Sequence, residues 1–109
     1  MNLSVTMKPV LIVSTYPNLK SVTKIANELV KKRIAACVNY TKISSVYSWK
    51  GKIENTEEFL AFFKTTQKNR IILKKAIQKT HPYDVPEIAE LDIQSINQPY
   101  LKWLIESSR

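Results

Sequence analysis

The chain has 109 residues with one Gly, one Cys and one His, which makes a single domain over 1–109 that buries roughly two thirds of its unfolded surface. One Cys excludes an internal disulfide, a thiolate zinc finger and CxxC redox chemistry, and one His stops a single chain from placing two imidazoles on a metal. The 17 Lys and Arg against 9 Asp and Glu give a net charge of +8, and all the excess lies in the first half, where Glu28 is the only acid through Ile53.

Residues 1–8 match no pattern and are expected to form a loose extension. Residues 9–15 are a short β-branched apolar run closed by Tyr16-Pro17, which predicts a buried strand. The run at 10–13 is too short for a signal-peptide core or a membrane span, so the expected compartment is the cytoplasm and no membrane partner is expected. Asn18 or Ser21 then offers a cap, and Val22, Ile25, Ala26, Leu29 and Val30 recur at helical spacing. That helix is expected to end near Lys31-Lys32-Arg33, where cations suit its negative end.

Residues 34–49 are β-branched and aromatic, the pattern of a long strand, with Asn39 and Ser44-Ser45 as candidate bends. Lys50-Gly51-Lys52 is the one hairpin signal and uses the only Gly. Residues 53–65 return as the partner strand. Phe59, Ala61 and Phe63 point one way along it, and Leu60 and Phe62 the other. A strand apolar on both faces is covered on both sides. Helices of this chain can cover one side; the other predicts a partner subunit, with Tyr47, Trp49 and Phe62 at the contact.

Residues 67–80 predict a second helix with Ile72, Leu73, Ala76 and Ile77 as its core stripe, stopped by His81-Pro82. A strand over 87–94 and a short helix opened by Asn97-Gln98-Pro99 complete the chain. The order β-α-β-β-α-β plus a tail helix is α+β of the ferredoxin-like kind, an antiparallel sheet with helices on one face.

Few residues carry chemistry. Cys37 reads either as a small buried apolar residue or as a thiolate or soft-metal ligand. His81 reads either as a helix-end His or as a metal or anion contact near Tyr83, Asp84 and Glu87. Lys64 is either a strand end emerging into solvent or a pocket Lys facing an anion. No nucleophile–base pair, phosphate-cradling Gly loop or zinc spacing occurs, so no enzyme is expected. The basic half raises nucleic acid as a partner. The bases are scattered singly apart from Lys31-Lys32-Arg33, and the glycine- and aromatic-rich strand of RNA-recognition domains is missing, so nucleic acid is not the expected partner.

Several stretches, in order, resemble the CutA (divalent-cation tolerance) family over about 9–106: Arg33-Ile34-Ala35-Ala36-Cys37-Val38-Asn39, Ser45-Val46-Tyr47-Ser48-Trp49-Lys50-Gly51-Lys52-Ile53, Lys64-Thr65, His81-Pro82-Tyr83-Asp84-Val85-Pro86-Glu87-Ile88 and Tyr100-Leu101-Lys102-Trp103-Leu104. The resemblance implies a homotrimer similar in architecture to nitrogen-regulatory PII proteins and a role in tolerance of copper and other divalent ions. It also implies inter-subunit clefts lined by Cys37, Trp49, Lys64, Tyr83 and Glu87. Some members that look copper-binding carry a Cys where Ser14 stands and a second His where Thr80 stands. His81 is then the best nitrogen donor left and Cys37 the best sulfur donor, and any copper binding is expected to be weak. An anionic metabolite held through Lys64 is the alternative ligand.

Overall fold

The computed structural model describes residues 7–108. Six of the eight residues expected to form a loose extension lie outside that range. Four antiparallel strands form one sheet in the order β2-β3-β1-β4. The strands are β1 (Pro9–Tyr16), β2 (Cys37–Trp49), β3 (Lys52–Thr66) and β4 (Ala89–Asp92), and the helices are α1 (Leu19–Lys31), α2 (Arg70–Thr80) and α3 (Gln98–Ser107). This is the expected ferredoxin-like order, with β3 and β1 in the centre.

The strands alternate as their sequence requires. In β1, Val10, Ile12, Ser14 and Tyr16 are buried while Leu11, Val13 and Thr15 are half-buried. The register places Ile12 opposite Phe63 and Ser14 opposite Ala61, so β3 buries Ala61 and Phe63 on the same face. Val22, Ile25 and Leu29 of α1 and Leu73 and Ile77 of α2 close that face into one core. Asn18 caps α1 by accepting the Ser21 N–H at 2.8 Å. Lys32 is the C-cap, and Arg33 takes a left-handed φ of 61° as the chain turns.

Three expectations need correction. Ile72 is exposed, because one residue before Leu73 it points about 100° away from the stripe; Asn69 and the half-buried Ala76 complete the inner face instead. The helix over 67–80 opens with a 3₁₀ turn, Gln67–Asn69, before α2 begins. Buried Asn69 donates 2.7 Å to the Ser108 carbonyl, which ties that turn to the C-terminal helix. The strand over 87–94 shortens to four residues, ending where pairing with Val10 stops.

The β2–β3 hairpin is the most distinctive shape in the chain. β1 pairs only with residues 59–66 of β3, so residues 43–49 and 52–58 project beyond it with no further strand beside them. Seven residues of strand reach about 23 Å, which draws the molecule out to 53 × 26 × 21 Å. No bend appears at Asn39 or Ser44-Ser45; pairing runs unbroken from Cys37↔Lys64 to Trp49↔Lys52. At the tip Lys50 has φ 50° and Gly51 φ 80°, the two positive values that a two-residue type I′ turn needs. The other face of the sheet is open: Phe62, Tyr47, Trp49 and Leu91 all keep at least a third of their surface in solvent.

Candidate functional site

The open face is not bare everywhere. The loop over 82–87, between α2 and β4, folds across it and roofs a cleft of about 670 Å³. Strand register explains the floor. Ile43 pairs with Glu58 and Thr15 with Leu60, so Thr15, Ile43, Tyr47, Trp49, Glu58 and Leu60 share one face and line the cleft, with Tyr83, Asp84 and Glu87 in the roof. No Lys, Arg or His is among the lining residues.

Glu58 is the unusual member. It is 8% exposed, although it sits on the face without helices. The Tyr83 hydroxyl donates to its Oε2 at 2.7 Å. No cation pairs with it among the described residues, and Oε1 has no protein donor there. Burial and then the Glu58 carboxylate raise the Tyr83 phenol well above its ordinary 10.0, so Tyr83 stays protonated and keeps donating.

His81 pins the roof to the sheet. Its Nε2 lies 2.8 Å from the Thr15 carbonyl and 3.2 Å from Ser14 Oγ, and the Tyr83 N–H donates to Nδ1 at 3.1 Å. A carbonyl only accepts, so Nε2 carries the proton and Nδ1 is the bare acceptor. The ring also stacks on Tyr16 at 4.3 Å. Both ring nitrogens are therefore engaged within the chain. His81 bonds the end of β1, not the last carbonyls of α2.

Burial lowers the His81 pKa below 6.5, against smaller upward effects of the Thr15 carbonyl and the Glu58 charge. A depressed folded value means that the stabilisation is complete above about 6.5 and is lost as pH falls through the folded value. With one His in the chain, its proton resonance is expected to titrate below 6.5. The gap in urea midpoint between wild type and His81→Gln should narrow from about pH 7.5 to about pH 5.5; a gap independent of pH would show that the ring accepts its proton in place.

Within one chain, the residues expected at inter-subunit clefts fall into two groups. Trp49, Tyr83 and Glu87 converge, together with Tyr47. Cys37 and Lys64 pair with each other at the far end of β3, six residues from Glu58, or about 20 Å along the strand. There the Cys37 Sγ lies 3.6 Å from Asn39 Oδ1, and Lys64 Nζ stands 5.5 Å from the Tyr100 ring of α3. Cys37 and His81 do not meet within one chain. Among the described residues no three His, Cys, Asp or Glu side chains stand close enough to hold a metal. Ser14 and His81 do meet, so a Cys at position 14 would stand beside the imidazole, where this chain offers a hydroxyl. Thr80 instead bonds the Ala76 carbonyl at 3.1 Å.

A ferredoxin-like sheet with a projecting hairpin, a roofed acidic and aromatic cleft and an open apolar face defines a class of small α+β domains. The family model for the CutA1 divalent ion tolerance protein matches residues 10–107, and the chain belongs to that family. The divalent-cation tolerance protein CutA of Pyrococcus horikoshii is 39% identical over 100 residues, 92% of this chain and 98% of that one. The crystal structure of CutA1 from Oryza sativa superposes with a TM-score of 0.90 at 36% identity, covering 97% of this chain and 98% of that chain. A CutA structure from Archaeoglobus fulgidus, described as periplasmic, matches at a TM-score of 0.89 and 32% identity, covering 93% of this chain and 99% of that chain. No helix among the described residues is long and apolar enough to cross a membrane.

Proposed function

We propose that this chain is a non-enzymatic, homotrimeric cation-response protein of the cytoplasm, and that the cleft under the 82–87 loop is its ligand site. Glu58 carries the reading: it is 8% exposed, accepts from the Tyr83 hydroxyl and has no cation paired with it among the described residues, so its carboxylate can take a positive charge. The three subunits meet along the open sheet face through Tyr47, Trp49 and Phe62, so that a neighbour borders each cleft. Direct copper binding is weak in this reading. Cys37 and His81 are its best donors, but they stand apart within one chain, and both His81 nitrogens are in use.

An anionic metabolite needs Lys64 of a neighbouring subunit, because within one chain Lys64 lies at the other end of β3 from the cleft. The basic residues of α1 and α2 are read as a solvated face and not as a nucleic-acid surface. The test follows Trp49 emission in a Trp103→Phe background, titrated with simple metal and organic cations and with anions at fixed ionic strength. Cations should saturate the signal and anions should leave it flat. Saturation by anions with cations silent would overturn the reading.

A further inference from the structure

The outer side of the helical layer is basic and carries exposed aliphatic side chains. On α1, Lys20, Lys24, Asn27 and Lys31 recur at helical spacing and form one exposed stripe, opposite the buried Val22, Ile25 and Leu29. Lys68, just before α2, and Lys75 and Lys79 along it are exposed as well. The only carboxylate on either helix is Glu28, which pairs with Lys32 at 3.0 Å. Glu90 of β4 is held by Lys74 at 2.6 Å and by Arg70 at 3.6 Å. Among the described residues Lys20, Lys24, Lys31, Lys68, Lys75 and Lys79 have no carboxylate partner. Leu19 and Ile72 keep 52% and 54% of their surface in solvent on the same two helices, and Val30 and Ile71 are also exposed. Both helices cover one face of the sheet, so this surface lies on the opposite side of the molecule from Tyr47, Trp49 and Phe62. Subunits that meet along the open sheet face leave it outward.

We infer that the outer side of α1 and α2 docks on an anionic phospholipid membrane, with the lysines on the headgroups and the exposed aliphatic side chains at the boundary below them. Charge complementarity sets the sign of the partner: each unpaired Lys that reaches an anionic leaflet raises partitioning by about fivefold. The aliphatic side chains set its kind. Leu, Val and Ile gain little against the phosphates of a nucleic acid, which are met by basic and polar groups. At a membrane surface they are buried between headgroups and acyl chains. No helix among the described residues is long and apolar enough to cross a membrane, so the contact is peripheral and reversible. The face is solvated in the free protein and needs no rearrangement to dock.

Co-sedimentation of the intact protein with vesicles of equal parts phosphatidylcholine and phosphatidylglycerol tests this, against vesicles of phosphatidylcholine alone. Wild type should pellet with the mixed vesicles at about 0.1 M salt and stay in solution with the neutral ones. It should be released towards about 1 M salt, as the Debye length falls from about 10 Å to about 3 Å. Lys24→Glu/Lys75→Glu should weaken binding by about 25-fold or more, since each lost Lys removes about fivefold. Ile72→Ser, at an exposed position, should weaken it severalfold with an unchanged far-UV spectrum. Wild type that stays in solution with the mixed vesicles, or pellets equally with the neutral ones, would overturn the inference. Undiminished binding by the charge-reversed variant would place the contact elsewhere on the molecule and overturn it as well. Undiminished vesicle binding by Ile72→Ser, with duplex DNA bound more tightly than vesicles at the same salt, would show a nucleic-acid surface instead.

Discussion

Phe63→Ala is expected to destabilise the protein by about 3–5 kcal/mol, the range for emptying a fully buried aromatic position. Phe63 is 0% exposed and lies on the central strand β3, paired with Ile12 of β1 on one side and Val38 of β2 on the other. Helices α1 and α2 pack over the same core, which includes Leu29, Leu73 and Ile77. The neighbours above and below are fixed by strand pairing, so the site has little freedom to collapse into the space, and the cavity adds to the lost transfer energy. A domain of this kind has a total stability of roughly 5–15 kcal/mol, so the variant should sit near its unfolding threshold. Urea unfolding followed by far-UV circular dichroism measures the difference, at one protein concentration because oligomers gain stability by mass action. A loss under about 1 kcal/mol would mean that the core repacks freely around β3.

The frame of the fold was legible because it is written in local periodicity. The alternation of Phe59, Ala61 and Phe63 against Leu60 and Phe62 assigned both faces of β3 before any contact was known, and Lys50-Gly51 placed the hairpin tip. The shortened β4 was less legible, since its length depends on where β1 ends its pairing and not on residues 87–94 themselves. Ile72 was misplaced for a related reason: an apolar run at the start of a helix fits two adjacent stripes, and packing against the sheet selects one.

The cleft was visible only in part. Trp49, Tyr83 and Glu87 can be named from their motifs, but Glu58 stands in sequence only as a neighbour of Glu57, a carboxylate pair that belongs to no acid/base motif. Its burial follows from the 82–87 loop crossing the open face, a contact 25 residues away in sequence. The one local signal was an acid immediately before the apolar stretch of a strand, at a position whose alternation puts it with Leu60 and Phe62. His81 offers the same lesson. Its type and place before Pro82 suggested a ligand, while the hydrogen bonds that occupy both nitrogens come from Thr15 and Tyr83, which only the folded chain brings together.

Phe62→Glu is expected to convert the proposed trimer into folded monomer. Within one chain Phe62 keeps 36% of its surface exposed, on the face of β3 away from the helices, beside Val13 and Asn39. A carboxylate there stays hydrated in the monomer, so the chain should fold with an unchanged far-UV spectrum. In an assembly that covers this face, the same carboxylate is buried without a cation, at a cost of several kcal/mol in each subunit. Each 1.4 kcal/mol is a factor of about ten in the dissociation constant, so assembly should weaken by well over a hundredfold and disappear at micromolar protein. Light scattering decides the matter: wild type should give about three times the chain mass of 12.6 kDa, and the variant the chain mass itself. A wild type that is monomeric would end the trimer proposal outright. A variant that keeps the full assembled mass would show that the subunits meet elsewhere, and the exposed hairpin side chains Val46 and Ile53, each 69% in solvent, would become the surface to change next.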